Sequence, residues 1–533
     1  MVVVPGETGA SLYAGLDTFG KTITTDSPEA QRWFDQGMQL LYGFNHDEAV
    51  RSFKEAAARD SDAAMPWWGV AYASGMNIND PAMTEDKWQT AHKAAQHAIS
   101  LLSDESEVER ALIEAVAERY TWPAPAEQRP YDEAYAAAMK KVYDRFGNDP
   151  DIAALYAESL MDLQPWDYWT TDSERSPKGN TTEFVAAIEH ALAIDPNHPG
   201  ASHFYIHAME AGPAPEKVIP YADRLLTRIP GAGHLVHMPS HIYARVGRYA
   251  DAADANVLAV AADQAYFKTA PPPAMYMMYY AHNQHFLAFA SMMEGRYEPA
   301  IQAARELERD VPDDVLADFA WLIEGIMPTT YHVLIRFGKW EEILQEPQRP
   351  EYRLVSRAVH YYARAIALSA LGRPSEARAE IVKFEAAVSA VPEDWFVFNN
   401  RMHDVLPIAR AMLEGELAFR EGRLDDAWAA FEAGIAAEDK LIYDEPPAWM
   451  LPVRHAMGAL LMSAGEYARA ETMYRQDQLQ HPGNGWSLLG LQQALAAQGD
   501  DAEAAALTPA INVAFARVED RPTSSCFCEP GDN

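Results

Sequence analysis

Seven histidines fall between His203 and His285, as His203-x3-His207, His234-x2-His237-x3-His241 and His282-x2-His285. Spacings of three and four residues put the members of each group on one face of a helix, as two ligands to one metal ion require. Imidazole suits copper, zinc, iron or nickel better than calcium or magnesium. A protease-type His-Glu-x-x-His is absent, and no clear set of two histidines and a carboxylate appears. Glu210, Asp162 and Asp254 are the acids that could add one oxygen ligand. A second metal-seeking feature lies in the tail, where Cys526-Phe527-Cys528 holds both cysteines of the chain. It reads either as a soft clamp for copper or a redox pair that folds back onto the histidines, or as two incidental tail residues.

No other chemistry competes. The chain has no Walker loop, no complete Gly-x-Gly-x-x-Gly, no Gly-x-Ser-x-Gly elbow and no kinase set, so no nucleotide cofactor is expected. Trp166, Tyr205 and Tyr276 are candidates to line a substrate pocket, although aromatic stripes in helical proteins more often pack. Isolated histidines such as His46, His92, His97, His190, His198, His403 and His481 read as capped or core-satisfied side chains.

The elements that must position the histidines are helices. Ala, Leu, Glu and Met abound and β-branched runs are few, which favours helix because such side chains lose least rotamer freedom there. A repeat organises them. One copy starts near Leu451, with Gly458, a turn at Gly465-Glu466-Tyr467, then Ala470 and Tyr474, closing at Pro482; Trp486, Leu489 and Gly490 open the next. The turn and second helix recur at Gly247-Arg248-Tyr249 with Ala252, at Gly295-Arg296-Tyr297 with Ala300, and at Gly338-Lys339-Trp340. They recur again at Gly372 with Ala377 and at Gly422-Arg423-Leu424 with Ala427 and Phe431, and near the start Ala49, Phe53 and Ala56 take the second-helix positions.

These motifs resemble the tetratricopeptide repeat (TPR) pattern over nearly the whole chain. The resemblance implies an all-α fold, a right-handed superhelical array of TPR-like helix hairpins (an α-solenoid), with first helices lining a concave groove. With the turn glycine taken as repeat position 15, His234, His237 and His241 occupy positions 2, 5 and 9, His282 and His285 positions 2 and 5, and His332 position 9. Counting back from Pro230 at position 32 puts His203 and His207 at 5 and 9. At ~100° per residue these positions form one stripe, opposite the packing positions. In the family that stripe meets ligands, so eight histidines are expected to converge in the groove as metal ligands.

Segments follow from breaks in the period: an extension at 1–27, helix pairs at 28–163, an aromatic and polar loop at 164–182, central repeats with the histidines at 183–345, further repeats at 346–518, and a tail at 519–533 that should be extended or mobile. The net charge of −35 argues against nucleic acid and against an anionic membrane, and no apolar run is long enough to span a bilayer. The start lacks the features of a secretory signal, which favours the cytoplasm; a trimmed signal would make the protein periplasmic or secreted. The sequence thus points to a metal-binding TPR protein, with copper favoured over zinc or iron. The first choice is an oxidoreductase acting on a small molecule or peptide in the groove. The alternatives are a metal carrier without turnover and a non-catalytic scaffold for protein–protein interaction. A homo-oligomer is left open.

Overall fold

The computed structural model describes residues 3–103, 105–172 and 174–526. They form an all-α array of TPR-like helix hairpins, and among the described residues the only strand pair is the hairpin Phe396–Val397 with Asn400–Arg401. Chain contacts divide into two units, Met1–Ile242 with Leu258–Tyr276, and Tyr243–Val257 with Met277–Asn533.

In the first unit the Pro28–Tyr42 helix packs on His46–Arg59, Met65–Ala73 on Glu85–Leu101, Glu107–Ala117 on Arg129–Phe146, and Pro150–Met161 on Thr181–Ile194. Caps set the starts. Ser27 accepts from Ala30 N–H, Asn45 from Glu48 N–H and Asp149 from Asp151 N–H, each supplying an acceptor to amides that have no partner inside the helix. Ala49, Phe53 and Ala56 are fully buried between neighbouring helices, as their repeat positions predict. The extension before Pro28 is tied down. Lys21 forms ion pairs of 2.9 Å with both Asp149 and Asp151, and Thr18 donates to the Arg228 carbonyl at 2.6 Å.

In the second unit the hairpins follow the predicted turns closely. Gly247, Gly295, Gly338, Gly372, Gly422 and Gly465 all have positive φ, a region that costs any residue with a Cβ. Each is followed two residues later by a new helix, beginning at Tyr249, Tyr297, Trp340, Pro374, Leu424 and Tyr467. Ala252, Ala300, Ala377, Ala427 and Ala470 are fully buried, where a larger side chain would push the paired helices apart.

Among the described residues no helix follows Ala514, and residues 523–525 are docked in the second unit. Gln493 donates to the Thr523 carbonyl at 2.7 Å, and the hydroxyls of Tyr474 and buried Ser525 lie 2.6 Å apart. No described helix is long and apolar enough to cross a membrane.

Candidate metal centre

The first unit places three histidines together. The Pro199–Met209 helix starts on His198, whose Nδ1 accepts from Ala201 N–H while its Nε2 lies 3.0 Å from Asp151. One turn on, His203 and His207 share a face, ring centroids 4.8 Å apart. The short Gly233–His237 helix brings His234 to 4.9 Å from His203 and 6.2 Å from His207 by ring centroid. Its start can approach this closely because residue 233 is glycine: a Cβ there would fall 1.9 Å from Asp263 Oδ1. One ring nitrogen from each of His203, His207 and His234 lies within 4.8 Å of the others, and all three side chains are buried.

Hydrogen bonds behind the rings fix the tautomers. His203 Nδ1 donates to the Tyr42 carbonyl at 2.7 Å, and His207 Nδ1 faces Glu210 Oε1 at 2.8 Å. A carbonyl and a carboxylate only accept, so both rings carry their proton on Nδ1 and present a bare Nε2. Neither Nε2 has a hydrogen-bond partner among the described residues, although both are buried. That is the arrangement of a metal-ligating histidine held from behind. The Tyr42 hydroxyl in turn donates to Asp151 Oδ1 at 2.6 Å, which links the backbone behind His203 to Lys21.

Charge completes the picture. Burial raises the Glu210 carboxyl, but nearby His241 and the hydrogen bond from His207 outweigh it and bring it down to about 2. Burial pushes His203 well below the ordinary imidazole value, with His207 adding to the effect. Burial also lowers His207, against the pull of Glu210. The rings are therefore neutral, as ligation requires. Glu210 also reaches the second histidine group, its Oε2 lying 2.6 Å from His241 Nδ1. His237 and His241 point their Nε2 atoms at one another at 2.8 Å. They sit on separate short helices, because Pro239 lacks the N–H that would continue Gly233–His237 into Pro239–Arg245. The spacing alone suggested one unbroken helix.

Aromatic rings wall the centre. Phe44 lies 4.5 Å from His203, 6.0 Å from His207 and 5.8 Å from His234 by centroid. Trp166, from the loop after Pro150–Met161, stands edge-on to His207 at 5.1 Å and donates from its indole to the Ile78 carbonyl at 3.0 Å. Of the other two aromatic candidates, Tyr205 bonds Glu189 on the Thr181–Ile194 helix at 2.8 Å and lies on the side of its own helix away from His203 and His207. Tyr276 donates to Asp263 at 2.8 Å.

His282, His285 and His332 belong to the second unit. Phe398, in the turn of the strand pair, lies 5.2 Å from the His282 ring and 6.0 Å from that of His285. His332 packs edge-on against Trp449 at 4.7 Å. Burial lowers both His285 and His332 to about 3, with His332 contributing to the shift of His285, and the Nδ1 atoms of both are buried without a partner among the described residues.

Cys526 is disulfide-bonded, so its sulfur is not a thiolate available to a metal; Cys528 lies outside the described residues. Of the candidate acids, Glu210 stands behind histidines, Asp162 pairs with Arg119 at 2.8 Å, and Asp254 is exposed and pairs with Arg517 at 2.7 Å. The residues that sequence reasoning missed are Phe44, Phe398 and the Tyr42 carbonyl. For Phe398 a signal existed, since Asn399-Asn400 after an aromatic run favours a tight hairpin.

The chain matches no family model and no curated protein. Among solved structures it resembles a human IFIT1 dimer with m7Gppp-AAAA, at 11% identity over 86% of this chain and 90% of that one, with a TM-score of 0.33. A monomeric IFIT1 mutant with Gppp-AAAA gives 11% identity over 84% and 90%, with a TM-score of 0.35. The structure of Naa15/Naa10 bound to HypK-THB gives 12% identity over 91% of this chain and 70% of that one, with a TM-score of 0.23. Likeness at this level bears on neither ligand nor activity.

Proposed function

We propose that the protein is a transition-metal protein whose ion sits at His203, His207 and His234. The observation that carries this reading is the pair of buried Nε2 atoms on His203 and His207, each facing the shared space with its Nδ1 fixed from behind. Leaving such groups unsatisfied costs roughly 1–3 kcal/mol each, a cost that an ion bound between them removes. Three imidazoles with no carboxylate among the ligands suit copper, which as a monocation asks least of the one anion nearby, the Glu210 carboxylate behind His207. An ion with bonds of about 2.0 Å in a trigonal plane sets its donors about 3.5 Å apart. The triad, spanning up to 4.8 Å, would tighten on binding.

The finer reading is an oxidoreductase, with the metal changing oxidation state and a small molecule or peptide meeting it past Trp166. A carrier without turnover is the second reading, favoured by how deeply the three histidines are buried. A purely scaffolding role gains nothing from neutral histidines where peptide-gripping sites use Lys, Arg and Asn.

The test is elemental analysis of protein purified without a metal-binding tag, beside a His203→Ala, His207→Ala double variant checked for native helicity. Near-stoichiometric copper in the parent, with affinity falling at least 100-fold in the variant, is expected. A parent protein that carries no metal and takes up neither Cu(I), Zn(II) nor Fe(II) would overturn the proposal. Loaded protein that is reduced by ascorbate and reoxidised by air over repeated cycles would separate oxidoreductase from carrier.

A further inference from the structure

Glu210 holds two histidines, not one. Its Oε1 faces His207 Nδ1 at 2.8 Å and its Oε2 faces His241 Nδ1 at 2.6 Å. The His241 contact is an ion-pair contact, and His241 Nε2 lies on the far side of its ring from Glu210. That Nε2 meets His237 Nε2 at 2.8 Å, with both rings buried. Two imidazoles bound at 90° to one ion, with bonds of about 2.0 Å, have their nitrogens about 2.8 Å apart. His237 stacks beside His234 at 6.0 Å, and His241 lies 6.3 Å from His207, so this second pair stands next to the triad within the same unit.

We propose that His237 and His241 hold a second transition-metal ion, and that Glu210 is the positioning carboxylate common to both ions. The proposal rests on the triad reading and gives it its nuclearity. Each ion has one histidine whose Nδ1 meets the same carboxylate, His207 by a hydrogen bond for the first and His241 by an ion-pair contact for the second. The ordinary rival is an imidazole–imidazole hydrogen bond, His237 donating from Nε2 to His241.

The full-length protein stripped of metal is titrated with buffered Cu(I), and separately with Zn(II), and bound metal is counted. Two ions per chain are expected in the parent, one in His237→Ala, His241→Ala and one in His203→Ala, His207→Ala. Glu210→Gln should weaken both ions, by roughly 10–100-fold each. In the Cu(II)-loaded parent, coupling between the ions should depress the spin count below two, and either double variant should restore a full single-copper signal. His237→Gln, His241→Gln serves if the alanine variant does not fold. One ion in the parent that persists in the His237, His241 variants would overturn the second site and leave the hydrogen bond, while the triad stands. No ion in the parent would overturn the triad reading and this one together.

Discussion

Among the described residues only four non-glycine positions have positive φ: Phe44, Trp166, Arg175 and Phe398. Three of the four are aromatic, and each of those lies against a histidine of the predicted stripe: Phe44 on His203, Trp166 on His207 and Phe398 on His282. A left-handed backbone costs a side-chain-bearing residue roughly 1–3 kcal/mol and persists where the surroundings overdetermine it, characteristically at functional sites. At Phe44, φ of 54° aims the ring at the triad, and the preceding Tyr42 carbonyl accepts from His203. Both features belong to the single turn between the Pro28–Tyr42 and His46–Arg59 helices. Two substitutions separate strain from packing. Phe44→Ala loses the ring and keeps the strain, at roughly 3–5 kcal/mol, while Phe44→Gly loses the ring and releases the strain. The glycine variant is therefore expected to be the more stable of the two by about 1 kcal/mol, although glycine usually destabilises. Thermal melts of the pair decide it: an alanine variant as stable as the glycine one means no strain is stored there. Phe44 was not legible in the sequence, because left-handed backbone announces itself only where glycine or asparagine occupies it or, as at Phe398, stands beside it.

At the scale of elements, the repeat register was readable and the irregular pieces were not. Position 15 glycines and buried alanines are demanded by close helix approach, so they mark hairpins wherever they recur. The same count put His203, His207 and His234 on one stripe, and the first unit brings those three together. What the register could not give is whatever lies outside a repeat: the break at Pro239, the path that brings Trp166 to His207, and the extension that braces the site. That brace is specific. Lys21 pairs with Asp149 and Asp151, and Asp151 also receives the Tyr42 hydroxyl and faces His198 Nε2, fixing the ends of the two helices behind His203. Lys21→Met leaves a buried carboxylate without its cation, a change that typically costs roughly 3–5 kcal/mol. Burial opposes the charge on Asp151, but Lys21 and His198 hold its pKa below the usual carboxylate range. A depressed acid gives stability above its unfolded pKa of about 4 and withdraws it as pH falls toward the folded value. The parent should thus lose stability from about pH 4 downward, while Lys21→Met, less stable throughout, should show a shallower loss. Melting curves of both between pH 3 and 7 measure this, and parallel curves would remove Lys21 from the account.

For the whole molecule the dominant electrostatic fact is a net charge of −35 carried by 78 acidic and 43 basic side chains. Composition made this legible at once, but not its energetic sign, because that depends on how the charges are paired. Many basic side chains sit in exposed pairs within or between neighbouring helices, such as Arg129 with Glu133, Arg373 with Glu376, and Arg475 with Glu503. Exposed pairs of this kind contribute roughly 0–1 kcal/mol each and weaken with salt. The surplus of acids works the other way, by repulsion that reaches about 30 Å at 0.01 M salt and about 8 Å at 0.15 M. An array of hairpins spreads that surplus along many neighbouring helices, so repulsion sums over the chain while each pair acts alone. Repulsion should win. Raising sodium chloride from 10 mM to 500 mM is expected to raise the melting temperature by several degrees, with sodium sulfate avoided because excluded salts stabilise by another route. Protein stripped of metal is the right sample, since ion binding would add its own stabilisation. A melting temperature that falls across the same range would mean that the ion pairs, rather than the unpaired acids, set the stability of the array.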